Sequence, residues 1–248
     1  MTIYTDNPTG GRSVKIFKTE DRLCSSKEHW YHDSDGEAKF KQNLQRTPSD
    51  WKYRTETISY QNNSLGYRTK EFNKINWKKS IVVLGCSLVY GVGVSEKDTI
   101  SNQLSEITGH YVVNMGVSGS SGQFAVHNLA CLLEYYKPKA IAIGWPDASR
   151  VPLYLKDRTV HCGSWRDDPA GLGKAMRRYD WHSHSVLQLQ QLIARRLGMT
   201  AEFTLFKSVE KILDVPYCPI IDHGRDLSHG GVKTYNNVAK CIAQQLSL

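Results

Sequence analysis

The spacing of hydrophobic positions changes near residue 79. Beyond it, short apolar runs at residues 81–84, 111–114 and 140–143 alternate with stretches in which apolar residues recur every three or four positions. This alternation is typical of βαβ units around a parallel sheet. The longest apolar runs have the length of a strand, so no segment is predicted to cross a membrane. Residues 79–248 are therefore predicted to form an α/β domain.

Four helices are predicted in this domain from their apolar spacing, and a further strand is predicted at residues 202–206. The apolar positions of the helices are Ile100, Leu104 and Ile107; Val126, Leu129, Leu133 and Tyr136; Val186, Leu189, Ile193 and Leu197; and Val232, Tyr235, Ala239, Ile242 and Leu246. Residues 151–181 contain glycines, arginines and two tryptophans without a clear period. They are predicted to form an insertion or lid beside the sheet.

The first 78 residues have a different pattern, with turn signals such as Asp35-Gly36 and an aromatic, strand-like alternation near residues 53–60. We interpret residues 1–78 as an N-terminal appendage that is partly β or irregular. Its expected role is to complete a substrate pocket or to bind a partner. Arg68, just ahead of the first sheet strand, is a candidate pocket contact.

Charge and cysteine usage narrow the class of protein. The chain has 32 Lys and Arg against 24 Asp and Glu, a net charge of +8 that favours anionic partners. Its six cysteines include no Cys-x-x-Cys pair, so neither a zinc ribbon nor a disulfide framework is predicted. The first residues lack the basic start and apolar stretch of a signal peptide. A cytoplasmic protein with reduced thiols is the expectation.

Candidate chemistry lies where the predicted strands end, because ligands of parallel α/β sheets bind at the carboxyl ends of the strands. The first strand is followed by Gly-Cys-Ser-Leu at residues 85–88. A serine in that turn has its hydroxyl at the sheet edge and its amide at a helix N-terminus, which suits a nucleophile. The same residue type also caps helices.

Two further segments have residues that suit the same chemistry. Residues 114–119, Asn-Met-Gly-Val-Ser-Gly, follow the second strand, and their glycines let backbone amides approach an oxyanion. The Gly-x-Gly-x-x-Gly spacing of a dinucleotide loop is absent. Asp226 lies three positions before His229, so a carboxylate can accept from Nδ1 while Nε2 takes a proton from a serine. A turn followed by a helix cap would use the same two residues.

Together, these segments resemble the SGNH, or GDSL-like, hydrolase family in order and separation. The resemblance covers residues 79–248 and implies a flavodoxin-like three-layer α/β/α sandwich with a mainly parallel sheet. It implies Ser87 as nucleophile, His229 as general base and Asp226 as the carboxylate that orients it. The amides of Ser87 and Gly116 are the implied oxyanion hole, and no cofactor is implied.

The chain departs from the family pattern at two positions. Cys86 stands where the family has aspartate, and a buried thiol is expected to fill that place. Pro146, in Gly-Trp-Pro-Asp, stands where the family has the oxyanion-hole asparagine, and proline has no hydrogen-bond donor. Arg150, Asn114 or the insertion are candidate replacements.

The expected function is a serine esterase that hydrolyses a short acyl ester, with acetyl on a carbohydrate as the favoured substrate. Arg68, Asn114, Trp145 and Arg150 are the candidate substrate contacts. An acyltransferase with the same triad, and a non-catalytic module that binds a polyanion or glycan, are the alternatives. A small-molecule or carbohydrate ester is the expected partner, nucleic acid is less favoured, and the oligomeric state is undetermined.

Other residue clusters rank lower as candidate sites. The metal-ligand types His161, Cys162, His182 and His184 lack a convincing spacing, so no metal site is predicted. The insertion has basic and aromatic residues that suit a polyanion or sugar or, equally, a solvated loop. These residues are Arg150, Arg158, Arg166, Arg177, Arg178, Trp165 and Trp181.

Overall fold

The computed structural model describes residues 19, 21–31, 34–154, 159–163, 175 and 180–247. Its strands are β1 (Lys27–Glu28), β2 (Tyr60–Gln61), β3 (Ser80–Gly85), β4 (Tyr111–Gly116), β5 (Ala140–Trp145), β6 (Val151–Tyr154), β7 (Thr159–Cys162) and β8 (Ala201–Thr204). Its α-helices are α1 (Glu37–Leu44), α2 (Ser87–Tyr90), α3 (Ile100–Thr108), α4 (Gly122–Tyr135), α5 (Asp180–Arg196), α6 (Lys207–Leu213) and α7 (Val232–Leu246).

The central sheet has four parallel strands in the order β4-β3-β5-β8. The chain leaves β3 towards one edge to form β4 and then returns to the other side of β3 to form β5. This reversal creates a crevice at the carboxyl end of β3, which is where ligands bind in open α/β sheets. The predicted fold class is therefore confirmed.

Helices cover both faces of the sheet because successive strand residues point in opposite directions. Val82 and Leu84 face the cluster that includes α4, α5 and α6, whereas Ile81 and Val83 face α3 and α7. All four side chains are fully buried. This arrangement gives the continuous apolar runs of strands that are covered on both sides.

The buried face of α5 differs from the predicted one. Leu189 and Ile193 were expected to face the core, but they are 57% and 42% exposed. Leu187, Gln191 and Ala194 are buried in their place. The Gln191 amide donates to a carboxylate of β8 at 2.8 Å, so a polar residue lies on the core side and the apolar period misplaces the face.

Residues ahead of β3 share the hydrophobic core of the sheet domain. Tyr31 and Tyr60 pack their rings 4.8 and 6.0 Å from the ring of Tyr90 on α2. Tyr67 and Trp77 join the cluster on the α4 face of the sheet. The described part of the predicted appendage therefore packs directly against the helix that begins with Ser87.

The predicted insertion begins with an antiparallel hairpin of β6 and β7. Residues 155–158, 164–174 and 176–179 of the predicted insertion lie outside the described residues. Among the helices that the structure describes, none combines the length and the apolar character needed to cross a bilayer.

Gly116, at the end of β4, is in contact with the backbone of α2. A Cβ at this position would lie 2.2 Å from the Tyr90 nitrogen and 2.7 Å from the Val89 carbonyl carbon. Because backbone atoms cannot rotate away as a side chain can, we expect Gly116→Ala to lower the free energy of unfolding by about 3 kcal/mol. Urea denaturation measures this loss.

The matched control for Gly116→Ala is Gly109→Ala. Gly109 has a left-handed φ of +68°, and an added Cβ would have no neighbouring atom within 4 Å. Its replacement therefore carries only the backbone penalty, about 1 kcal/mol. Equal losses in the two variants would contradict the proposed clash at Gly116.

Candidate active site

Ser87 occupies the turn between β3 and α2, at the crevice of the sheet. It is the first residue of α2 and follows Cys86, whose extended backbone begins the helix. Ser87 is 6% exposed. No acceptor from the described residues bonds its backbone N–H, as expected for the first turn of a helix. The hydroxyl and a free amide of one residue therefore lie at the carboxyl edge of the sheet.

His229 connects Ser87 to Asp226. The His229 Nε2 lies 2.8 Å from the Ser87 Oγ, and its Nδ1 lies 2.5 Å from the Asp226 Oδ2. The other oxygen, Asp226 Oδ1, accepts the backbone N–H groups of Ser228 at 3.1 Å and His229 at 3.0 Å. The structure thus brings together the three residues that the sequence indicated, across 142 positions of the chain.

The charge of Asp226 fixes the role of each imidazole nitrogen. Burial raises the pKa of Asp226, but hydrogen bonds and charge attraction from His229, with the amide of Ser228, outweigh burial and place the pKa below its ordinary 3.8. An ionised Asp226 accepts the Nδ1 proton of His229. Nε2 is then the nitrogen that accepts the hydroxyl proton of Ser87.

The glycine loop after β4 requires a correction to the predicted oxyanion hole. The N–H of Gly116 donates to the Asn114 Oδ1 at 3.0 Å and is therefore occupied. Gly119 is partly exposed and has a left-handed φ of +72°. No described residue accepts its N–H. The Ser120 Oγ holds this loop to the Gly85 carbonyl at 3.0 Å, two positions before Ser87.

Pro146 is buried at the end of β5 and has no donor to offer at this position. The next residue, Asp147, accepts both the backbone N–H and the hydroxyl of Ser149 and so closes a local turn. The free donors described near Ser87 are therefore backbone amides. The side chains of Pro146 and Asp147 therefore offer no hydrogen-bond donor to an oxyanion.

Arg68 does not have the predicted role as a substrate contact. Its guanidinium is buried and donates to the carbonyls of Gly91 at 2.8 Å, Val94 at 3.1 Å and Ser59 at 2.9 Å. It also lies 4.7 Å from the centre of the Tyr60 ring. Arg68 therefore ties the N-terminal segment to the chain that follows α2.

Trp145 and Asn114 also have structural contacts in place of the predicted substrate contacts. Trp145 is fully buried, and its Nε1 donates to the Glu202 Oε2 at 2.9 Å. The Asn114 Nδ2 donates to the Val89 carbonyl at 3.0 Å and so links β4 to α2. Because their polar groups are used within the core, neither is retained as a candidate substrate contact.

Arg150, a candidate substrate contact, lies beside the glycine loop. Its Nη1 donates to the Ser120 carbonyl at 3.3 Å, and its guanidinium lies 5.3 Å from the centre of the Phe206 ring. The side chain is half-buried. Of the four candidate substrate contacts, Arg150 is the one that the structure places next to the loop of Gly119.

Comparisons with known proteins find solved structures that are similar to this chain in fold. No protein-family model and no curated protein matches the chain. A lipolytic protein of the G-D-S-L family from Desulfitobacterium hafniense is 11% identical, with a TM-score of 0.41, over 67% of this chain and 99% of that chain. The likeness is one of fold.

Two esterases of known structure are similar in the same way. The psychrotrophic esterase EstA from Pseudoalteromonas sp. is 13% identical, with a TM-score of 0.41, over 68% of this chain and 100% of that chain. Axe2, an acetyl-xylooligosaccharide esterase from Geobacillus, is 14% identical, with a TM-score of 0.40, over 71% of this chain and 97% of that chain.

The histidines considered as metal ligands do not converge. His182 and His184 lie on α5, not in a loop, and His161 on β7 packs edge-on against Phe124 with ring centres 4.8 Å apart. Burial, with the charge of Arg150, lowers the pKa of His161 to about 4. No group of three or more metal-ligating side chains occurs within the described part of the chain.

The basic and aromatic residues predicted in the insertion belong mostly to the part of the chain that the structure does not describe. Arg158, Trp165, Arg166, Arg177 and Arg178 lie outside the described residues, as does the side chain of Trp181. The structure describes all six cysteines and shows no disulfide bond among them.

Asp222 supports the start of α7, the helix that follows His229. It accepts the N–H of Lys233 at 3.0 Å, the N–H of Thr234 at 2.8 Å and the Thr234 hydroxyl at 2.7 Å. Burial raises its pKa, but these hydrogen bonds and the charge of Lys233 outweigh burial, and the pKa lies below 3.8.

We expect Asp222→Asn to lower the free energy of unfolding at neutral pH by about 1 kcal/mol, because an amide is a weaker cap than a carboxylate. A carboxylate with a lowered pKa stabilises the fold above its unfolded pKa of 3.8 and loses that effect as pH falls through the folded value. The difference between wild type and variant should therefore narrow below about pH 4. Denaturation at several pH values checks this, and a constant difference would contradict it.

One feature beside the triad was not predicted from the sequence. Arg225, the residue before Asp226, forms a buried ion pair with Asp35 of the N-terminal segment. The sequence signal was present, because the Asp35-Gly36 turn and an arginine next to the proposed catalytic carboxylate were both visible. Nothing local in the sequence connects two positions that are 190 residues apart.

Proposed function

We propose that this protein is an SGNH-type serine hydrolase that cleaves a short acyl ester, with Ser87, His229 and Asp226 as its catalytic triad. The observation that supports the proposal is the continuous hydrogen-bonded chain from Asp226 through His229 to Ser87, with distances of 2.5 and 2.8 Å. A helix cap or a turn would explain each residue alone. Neither requires a serine hydroxyl to face an imidazole that a buried carboxylate orients.

The first half of the reaction forms an acyl-enzyme. The Ser87 Oγ attacks the ester carbonyl carbon while His229 Nε2 takes the hydroxyl proton, and Asp226 stabilises the resulting imidazolium. The carbonyl oxygen becomes an oxyanion that accepts from the amides of Ser87 and Gly119. His229 then gives its proton to the departing alkoxide, and the carbon–oxygen bond to the alcohol breaks.

The second half releases the acid. A water molecule loses a proton to His229 Nε2 and attacks the acyl carbon, and the oxyanion again accepts from the two amides. Collapse of this intermediate returns the proton from His229 to the Ser87 oxygen. The products are one alcohol and one carboxylic acid, and the enzyme is unchanged.

The proposed oxyanion hole has one hydrogen-bond donor fewer than it would have if position 146 were not proline. Loss of one oxyanion-hole donor lowers kcat on the order of 10² to 10³ in a well-studied protease. We therefore propose a modest turnover number, with Arg150 as the residue that contacts the substrate beside the loop. Because Ser87 is 6% exposed, a short acyl group such as acetyl suits the site best. We propose a carbohydrate as the alcohol that carries it.

The experiment combines turnover with covalent labelling. Purified protein is given a short-chain chromogenic acetyl ester, and a fluorophosphonate probe is mapped by mass spectrometry to its attachment site. The expected result is hydrolysis and a single adduct at Ser87, with heat-denatured protein as the unlabelled control. Absence of both turnover and labelling would overturn the proposal.

The same assay separates the alternative functions. If an added alcohol accepts the acyl group faster than water does, the protein is an acyltransferase with the same triad. The net charge of +8 motivates a polyanion-binding module, whose binding should weaken steeply with salt. Hydrolysis of a neutral ester should be nearly independent of salt.

A further inference from the structure

The loop that contains Asp226 is fixed to the N-terminal segment by a buried ion pair. The Arg225 Nε donates to the Asp35 Oδ1 at 3.0 Å, and the Arg225 Nη2 donates to the Asp35 Oδ2 at 2.7 Å. The two side chains are 3% and 1% exposed. Arg225 is the immediate neighbour of Asp226, so this two-point contact lies one residue from the proposed catalytic carboxylate.

Further contacts hold the backbone and the guanidinium of Arg225. Its N–H donates to the Gly93 carbonyl at 2.7 Å, and its carbonyl accepts from the Asn43 Nδ2 at 3.0 Å. Its Nη2 also donates to the His29 carbonyl at 2.7 Å, and the guanidinium lies 4.2 Å from the centre of a Trp30 ring. Three of these four partners belong to the N-terminal segment.

A second route connects Asp35 to the carboxylate of Asp226. The Tyr60 hydroxyl donates to the Asp35 Oδ2 at 2.5 Å and accepts the Gly93 N–H at 2.8 Å. Gly93 lies directly against the Asp226 carboxylate, because a Cβ at Gly93 would be 2.9 Å from the Asp226 Oδ1. Asp35, Tyr60, Gly93 and Arg225 therefore form a closed set of contacts around the Asp226 loop.

A contribution to folding stability does not by itself explain a buried ion pair such as Asp35–Arg225. Burying two charges has a large desolvation cost, and apolar replacements of buried ion pairs are often neutral or stabilising. What a charged fork offers in addition is a fixed geometry, because Arg binds a carboxylate through two parallel hydrogen bonds. Because this pair lies next to Asp226, its fixed geometry can hold the Asp226 loop in place.

We propose that Asp35 and Arg225 are positioning residues of the active site: their ion pair holds the loop that places Asp226 against His229. Neither residue contacts the substrate. This inference rests on the proposed function, since it assigns the N-terminal segment a part in the same catalytic triad. The described part of that segment is then a component of the active site.

The test is Asp35→Asn, which keeps the shape of the side chain and removes its charge. Arg225 then remains buried without its counter-charge, and the Asp226 loop is expected to shift. A displacement of about 1 Å in a catalytic group lowers the rate about 10²-fold, so we expect kcat to fall about 10- to 100-fold while KM changes less than about 3-fold.

A spectroscopic signal reports the same displacement without any substrate. The proton between His229 Nδ1 and Asp226 Oδ2 should give a strongly downfield resonance in the proton NMR spectrum of the wild type. We expect Asp35→Asn to shift or remove this resonance. Arg225→Lys, which keeps the charge but loses the fork, should resemble Asp35→Asn in kcat and in the spectrum.

The matched control is Tyr67→Phe, in the same N-terminal segment. Tyr67 accepts a buried hydrogen bond from the Asn128 Nδ2 on α4 at 2.8 Å, away from the Asp226 loop. Its replacement should lower the denaturation midpoint while kcat and the downfield resonance stay as in the wild type. This control separates general destabilisation from a change in the triad.

If Asp35→Asn does not fold, Asn43→Ala tests the proposed positioning role. This variant keeps the ion pair and removes the hydrogen bond to the Arg225 carbonyl, so a smaller fall in kcat is expected, about 3- to 10-fold. Wild-type kcat and resonance in the variants that fold would overturn the positioning role and leave the hydrolase intact. A wild type without turnover, whose resonance is still lost in Asp35→Asn, would overturn the hydrolase and support the positioning role.

Discussion

Replacing Ser87 by alanine is expected to lower kcat by about 10⁶-fold and to abolish fluorophosphonate labelling. The variant has no oxygen to form the acyl-enzyme, so only the rate supported by the oxyanion hole and by substrate binding remains. The hydroxyl contacts His229 at 2.8 Å and lies in a small, buried position. Its removal should therefore leave the fold unchanged.

Steady-state turnover and mass spectrometry measure this loss. A denaturation midpoint close to that of the wild type is the control for folding. If Ser87→Ala retains a substantial fraction of wild-type turnover, or if the probe still forms an adduct, the nucleophile lies elsewhere and the proposed triad is wrong.

Replacing Asp226 by asparagine is expected to lower kcat by about 10⁴-fold. Asparagine keeps an oxygen for the amides of Ser228 and His229, so the loop should keep its shape. Its NH₂ group, however, donates where the carboxylate accepts, and His229 then adopts the tautomer whose Nε2 holds a proton. That nitrogen can no longer take a proton from Ser87.

The rate of phosphonylation checks the Asp226→Asn prediction independently of the ester. It should fall in parallel with kcat, because both reactions need the Ser87 proton to be removed. The matched control is Asp222→Asn, a nearby carboxylate with hydrogen bonds to α7, which should change stability and leave the phosphonylation rate unchanged. A loss of less than tenfold in Asp226→Asn would show that Asp226 does not orient His229.

The sheet was predictable from sequence because its central strands, β3 and β5, are covered on both faces and are therefore almost continuously apolar. The triad was predictable because Ser87 directly follows such a strand and because Asp226 and His229 lie within one turn of chain. In both cases a short stretch of sequence contains the physical cause. The structure places these segments at one edge of the sheet, as the pattern indicated.

The errors in the sequence-based predictions arose where a contact in the folded chain, which the apolar pattern does not report, decides the role of the residue. Gly116 was expected to bind an oxyanion, yet its amide bonds the Asn114 side chain, and its lack of a side chain is required by the backbone of α2. Arg68 was expected to contact substrate, yet three carbonyls take its hydrogen bonds. The face of α5 was misplaced because Gln191 is polar and buried.

The ion pair between Asp35 and Arg225 affects the order in which the parts of the protein fold. The two partners are 190 positions apart, so the loop of Asp226 can close only after the whole stretch from Asp35 to Arg225 has left the ribosome. Pairings of such long range form late, because the chain between them must first be ordered. During refolding, catalytic competence should therefore return after the sheet has formed, in a step of its own.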